Sequence, residues 1–232
     1  MKKSFYFSLA LLCLCMLSSC GGDDEPSSGG DTGGGGGGSQ SGDKHEWVDL
    51  GLTSGTLWAT MNVGATKPEE YGDYFAWGET STKLVYLWRT YKFGDYNKLT
   101  KYCTDSDYGT VDNITELEPS DDAAYVNWGS KWRMPTKAQF DELRSECDWK
   151  WTSKNGVNGF LVSSKRNSAT LFLPAAGGDD SGKGSYGWYW TRTLCTTPPY
   201  YAYEFGFDSG EFHKYNFNIR GSGQSVRAVR VP

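Results

Sequence analysis

Cysteine is scarce in this chain, at 6 of 232 residues, and histidine scarcer, at 2. Cys13 and Cys15 fall in an apolar leader and Cys20 closes it, which leaves Cys103, Cys147 and Cys195 for the folded part. An odd count means that at least one thiol has no partner in its own chain. A Cys103–Cys147 bridge and three buried free thiols both stay open, because spacing does not fix Cα separation. There is no Cys-x-x-Cys and no histidine pair at helical spacing, so a zinc site is not expected. Basic clusters are missing as well. With a net charge of −5, the chain is a poor candidate for binding nucleic acid. No apolar run reaches bilayer length; the longest, from Phe5 to Met16, is too short for a stable spanning helix.

What the leader does have is order. Lys2 and Lys3 precede the apolar run, and Leu17-Ser18-Ser19-Cys20 ends it with small residues. That pattern predicts a signal peptide over residues 1–19. Its Ser-Ser-Cys ending resembles the lipobox of bacterial lipoproteins. The resemblance implies lipidation of the Cys20 thiol, cleavage before it and acylation of the new amine. Each acyl chain would contribute about 0.8 kcal/mol per buried methylene, and two chains suffice for a stable anchor. Residues 20–44 then read as a disordered tether: Gly33 to Gly38 run unbroken and apolar side chains are almost absent. Asp23, Asp24 and Glu25 look like the export signal of Bacteroidetes lipoproteins. That likeness implies display on the outer face of the outer membrane.

Residues 45–232 have the length of one domain with a real core. Short strands are expected at Glu46–Leu50 and Leu57–Thr60, followed by aromatic-pinned loops from Thr66 to Lys101. A helix is predicted from a cap at Ser120, with Asp121 and Asp122 in its first turn, through Val126 to a stop at Gly129. A second helix begins at the capping box Thr136/Gln139, with Ala138, Phe140, Leu143 and Cys147 near one face. Six β-like runs follow: Gly159–Ser163, Thr170–Leu173, Trp188–Thr193, Tyr201–Phe207, Phe212–Phe217 and Ser225–Val231. Strands, two helices, then many strands make an α+β domain.

Several stretches, taken together, are similar to the Fibrobacter succinogenes major paralogous domain. They include Glu46-Trp47-Val48-Asp49-Leu50-Gly51-Leu52, Trp58-Ala59-Thr60-Met61-Asn62-Val63-Gly64-Ala65 and Tyr71-Gly72-Asp73-Tyr74-Phe75-Ala76-Trp77-Gly78-Glu79. Trp132-Arg133-Met134-Pro135-Thr136, Phe172-Leu173-Pro174-Ala175-Ala176-Gly177, Tyr189-Trp190 and Ser225-Val226-Arg227 complete the set. The resemblance spans nearly all of 45–232 and implies a loop-rich C-type-lectin-like fold, shared with formylglycine-generating enzyme. Most members are surface lipoproteins, and some relatives are the ligand-binding products of diversity-generating retroelements, which bind near the C-terminus. The enzyme needs a pair of cysteines in its C-terminal half, and only Cys195 lies there. The likeness therefore argues for the fold and against the activity.

Other chemistry is thin. One cysteine and one histidine, Cys195 and His213, form a weak candidate pair. Glu79, Glu204 and Glu211 read as ordinary surface or hydrogen-bonding groups. Asp179-Asp180 fits a solvated turn better than a calcium site, and the Glu-Pro-Asn and Trp-Asn-Asp triplets of calcium-dependent lectins are absent. Aromatic residues are abundant (Trp 10, Tyr 15, Phe 11), and recognition surfaces favour such rings. Tyr201, Tyr203, Phe205 and Phe207 alternate onto one side of a strand. Phe205 and Phe207 are assigned to the core, as are Trp58, Trp132 and Trp190. Arg192, Tyr200, Tyr201, His213 and Tyr215 are the expected ligand contacts. The sequence thus points to a tethered domain that binds an extracellular protein or glycan without catalysis, cofactor, metal or nucleic acid. Two alternatives remain. A polysaccharide-processing enzyme predicts a deep cleft with two facing carboxylates, and a structural envelope subunit predicts a flat hydrophobic patch.

Overall fold

A computed structural model of the protein describes residues 37–38, 44–179, 181–213 and 216–230. The N-terminal part of the domain contributes β1 (Gly37–Gly38), β2 (Trp47–Asp49), β3 (Leu57–Asn62), β4 (Tyr74–Phe75), β5 (Gly94–Asp95) and β6 (Lys98–Leu99). Two helices follow, α1 (Ala123–Trp128) and α2 (Lys137–Glu146). Then come β7 (Cys147–Lys154), β8 (Val157–Ser164), β9 (Thr170–Pro174), β10 (Gly187–Leu194) and β11 (Tyr201–Phe207). The last strands are β12 (Phe217–Ile219), β13 (Gln224–Ser225) and β14 (Arg227–Arg230). The fold is mixed α+β, with antiparallel sheets predominating.

The first sheet has the order β1-β2-β3-β14. Its last strand lies antiparallel to one near the domain's start, with Val229 opposite Trp58. The second, β7-β8-β9, is a meander in continuous register from Cys147↔Ser164 to Ser163↔Thr170. The third has the order β12-β11-β10-β13-β4, with β13 parallel to β10 and its other pairings antiparallel. Strand alternation gives this sheet two different faces.

One face builds the first core cluster. Tyr189, Phe205 and Phe207 pack there with Phe140 and Leu143 of α2, Trp58, and Phe160 and Val162 of β8. Phe140 lies flat on Phe205, with centroids 4.6 Å apart and planes 3° from parallel. The other face contributes Trp190 and Ala202 to a second cluster with Trp77, Tyr102 and Trp132. Arg220 is fully buried beside it. Its guanidinium donates to Tyr91 Oη and to the carbonyls of Tyr102, Pro199 and Lys101, and it lies 4.9 Å from the Trp77 ring. Hydrogen bonding this complete offsets the cost of burying the charge.

Phe205, Phe207, Trp58, Trp132 and Trp190 are all buried, as the pattern predicts. The Thr136/Gln139 capping box forms, and Phe140, Leu143 and Cys147 are buried, whereas Ala138 is exposed. The first helix differs from expectation. Ser120 lies in a 3-10 turn (Pro119–Asp121), and Asp122 is the cap, accepting from Ala124 N and Tyr125 N. An acid whose carboxylate can also take Arg133 outcompetes a serine for that place. β7 is absent from the sequence reading, although Trp149 and Trp151 alternate along it. In the run predicted over Phe212–Phe217, Phe212 makes an isolated bridge to Phe207 and Phe217 opens β12, while residues 214 and 215 lie outside the described residues. Gly37 and Gly38 pair with Val48 and Trp47 and so add a strand to the sheet within the expected tether; edge pairing needs only backbone groups. Cys103, Cys147 and Cys195 are free and buried, so no Cys103–Cys147 bridge exists. The expected signal peptide, Cys20 and, apart from Gly37, Gly38 and Lys44, the expected tether lie outside the described residues.

Candidate functional site

The second face of the β10–β11 pair leaves part of itself uncovered. Cross-strand partners share a face, and Trp188 pairs with Gly206, Trp190 with Glu204 and Ala202 with Asn218. Trp190 is sealed in the core, but Trp188 is only half-buried. It forms a wall of a pocket of about 320 Å³ together with Tyr86, Asp179, Ser181, Asn218 and Gln224. The Tyr186 ring stacks on Trp188 at 5.2 Å and 7°.

Glycine lets the loops approach this ring. A Cβ on Gly182 would lie 3.0 Å from the Trp188 ring, and its φ of +82° disfavours any other residue. A Cβ on Gly223 would meet Asp179 and Tyr86, both at 2.8 Å. Gly223 N in turn donates to Asp179 Oδ1, which fixes that carboxylate at the rim.

Glu204 lies behind the pocket, 6% exposed. Its carboxylate accepts from the Gln224 side-chain amide and from that of Asn218, both of which line the pocket. Burial pushes the carboxyl up to about 7, against the opposing pull of those two amides. Gln224 Oε1 is buried and makes no hydrogen bond among the described residues. The arrangement offers an aromatic face, the Asn218 amide, hydroxyls and a rim carboxylate, with the Gln224 amide buried behind them. It can hold a polar ring-shaped ligand.

The expected contact residues that are described do not form one surface. Tyr200 and Tyr201 adjoin each other, with centroids 4.5 Å apart, in a group with Tyr96, Tyr108 and Phe217. Alternation sends Tyr201 to the side opposite Glu204. Arg192 is elsewhere again: the β10–β11 register shifts between Trp190 and Leu194, and its guanidinium reaches Glu116 and Met134 O. Such an irregularity re-aims a side chain. His213 stands beside the pocket's wall, 6.0 Å from Tyr186 and packed over Gly206. Tyr215 and Asp180 lie outside the described residues.

Cys195 Sγ donates to Thr197 O, whereas His213 meets Asp208 and Tyr186, so the two do not pair. Among the described residues no group of three His, Cys, Asp or Glu side chains is placed to hold a metal. Sequence reasoning missed Trp188, Asn218, Gln224 and Tyr86. The available signal was Trp188 itself, which sits out of phase with core Tyr189 and follows a glycine-rich loop. Glu204 gave none, because only the strand register reveals what it faces.

Comparison with known protein families, with curated proteins and with solved structures finds no match to this chain. No helix among the described residues is long and apolar enough to cross a membrane.

Proposed function

We propose that this protein is a lipid-anchored surface protein whose C-type-lectin-like domain captures an extracellular ligand, a glycan in preference to a protein, without turning it over. One observation carries the binding half: the half-buried Trp188 face beside the Asn218 and Gln224 amides, with Glu204 orienting both from behind. A flat ring packs on the apolar face of a sugar while amides and hydroxyls meet its hydroxyl groups, which is the usual division of labour in ligand pockets. The lectin-like reading draws support from the family resemblance and from the β3–β14 pairing that sets the domain's last strand beside one near its start.

The anchor rests on Lys2, Lys3, the apolar run and Cys20 in the sequence. Two experiments test the whole. Full-length protein screened on a glycan array should retain specific sugars, and metabolic labelling with a fatty acid should mark the wild type but not Cys20→Ala. An unlabelled wild type, or an array with no retained glycan, would remove the corresponding half of the proposal.

A further inference from the structure

A second pocket, of about 370 Å³, is lined by Ser130, Lys131, Arg133, Gln139, Arg192 and Arg230, with Val229 as its aliphatic wall. Four cations therefore converge on one cavity in a chain whose net charge is −5. Two of them are held rigidly. Arg133 donates from Nε to Asp122 Oδ2 at 2.8 Å and from Nη2 to Leu117 O at 2.7 Å. Arg192 donates from Nε to Glu116 Oε2 at 3.0 Å and from Nη1 to Met134 O at 3.1 Å. Each bond pattern leaves one terminal nitrogen, Arg133 Nη1 and Arg192 Nη2, without a protein acceptor among the described residues. Arg230 is set between the rings of Trp47 and Trp132, 5.7 Å from each. Lys131 is exposed and has no ion pair among the described residues.

Asp122 and Glu116 balance Arg133 and Arg192, so the pocket's surplus charge is small. It suits a singly charged oxyanion better than a phosphate chain. Guanidinium groups already fixed by carbonyls and carboxylates lose little freedom on binding one. The Ser130 hydroxyl and the Gln139 amide add neutral groups that suit hydroxyls, and the volume is at the lower end for small-ligand sites. The geometry points to a second subsite that takes an acidic sugar, its carboxylate held by Arg192, Arg133 and Lys131. This inference deepens the binding reading above by giving a charge class to a pocket separate from Trp188, and it rests on the domain being a binding module.

The test is calorimetric titration of full-length protein in neutral detergent with an oligogalacturonate and with its neutral methyl ester. The oligogalacturonate should bind, with affinity falling as salt is raised, and the ester should not. Lys131→Glu, an exposed change that spares the fold, and Arg192→Gln should each weaken binding at least tenfold. Trp188→Ala should leave this affinity unchanged, even if it abolishes capture of every neutral glycan. Equal binding of the ester, an unaffected Lys131→Glu variant or no binding at all would overturn the assignment. So would a loss caused by Trp188→Ala, which would put the acid in the other pocket. Polyaspartate binding as well as the uronate would overturn the sugar class and indicate an acidic protein segment.

Discussion

The side-chain amide of Gln224 donates to the carboxylate of Glu204, and both residues are more than nine-tenths buried. No cation pairs with Glu204 among the described residues. The carboxyl is therefore raised from 4.5 to about 7, by burial above all. Folding favours its protonated form, so this group's contribution to stability is complete below about pH 4.5 and is lost as the pH rises through about 7. The shift is worth on the order of 3 kcal/mol. Glu204→Gln should match the wild type near pH 4 and exceed it above about pH 7.5. Urea unfolding across that range reads the difference between the two proteins, which cancels the other carboxylates. Parallel pH profiles for the two would contradict this account of Glu204.

Asp122 should be among the least replaceable residues of the domain. It is fully buried and accepts from Ala124 N, Tyr125 N, Met134 N and Arg133 Nε. Asp122→Ala strands Arg133 and uncaps α1 together, at a cost of roughly 3–5 kcal/mol. Asp122→Asn keeps most acceptor geometry and should cost visibly less. Denaturation midpoints of the two variants provide the check.

Gly187 is predicted to tolerate no side chain. A Cβ there would lie 2.1 Å from Phe207 Cζ, in the middle of the first core cluster. Gly187→Ala should destabilise by roughly 1–3 kcal/mol through overpacking. Gly156, with nothing within 4 Å of its Cβ position, is a control for space but not for backbone, since its φ is +82°. Gly156→Asn should therefore cost much less, as asparagine tolerates that conformation.

The buried thiols should be inert. Cys147 is pushed up to about 11, chiefly by burial, so little thiolate exists at neutral pH to attack a reagent. Peptide mapping after brief alkylation should find Cys103, Cys147 and Cys195 unmodified in the native protein and modified after unfolding.

Much of the scaffold was legible because it is written in local patterns. The Thr136/Gln139 box and the Tyr201–Phe207 alternation each depend on neighbours a few residues away. Long-range geometry hid the rest. Ser120 yields the cap to Asp122, whose carboxylate takes Ala124 N and Tyr125 N and also meets Arg133 beyond the helix. Tyr201 and Arg192 share the C-terminal aromatic region, yet alternation and a register shift send them to different places. Glu204 looked like an ordinary polar residue until the pairing with β10 and β12 placed two amides in front of it.

The central claim is capture at the Trp188 pocket without chemistry. Its most direct test is a titration of the best array glycan into the wild type and Trp188→Ala, followed by recovery of the glycan and mass analysis. Truncating a central aromatic contact should weaken binding roughly tenfold to a hundredfold, and the glycan should return intact. Undiminished affinity in Trp188→Ala, or a glycan returned shortened by the wild type, would contradict the account.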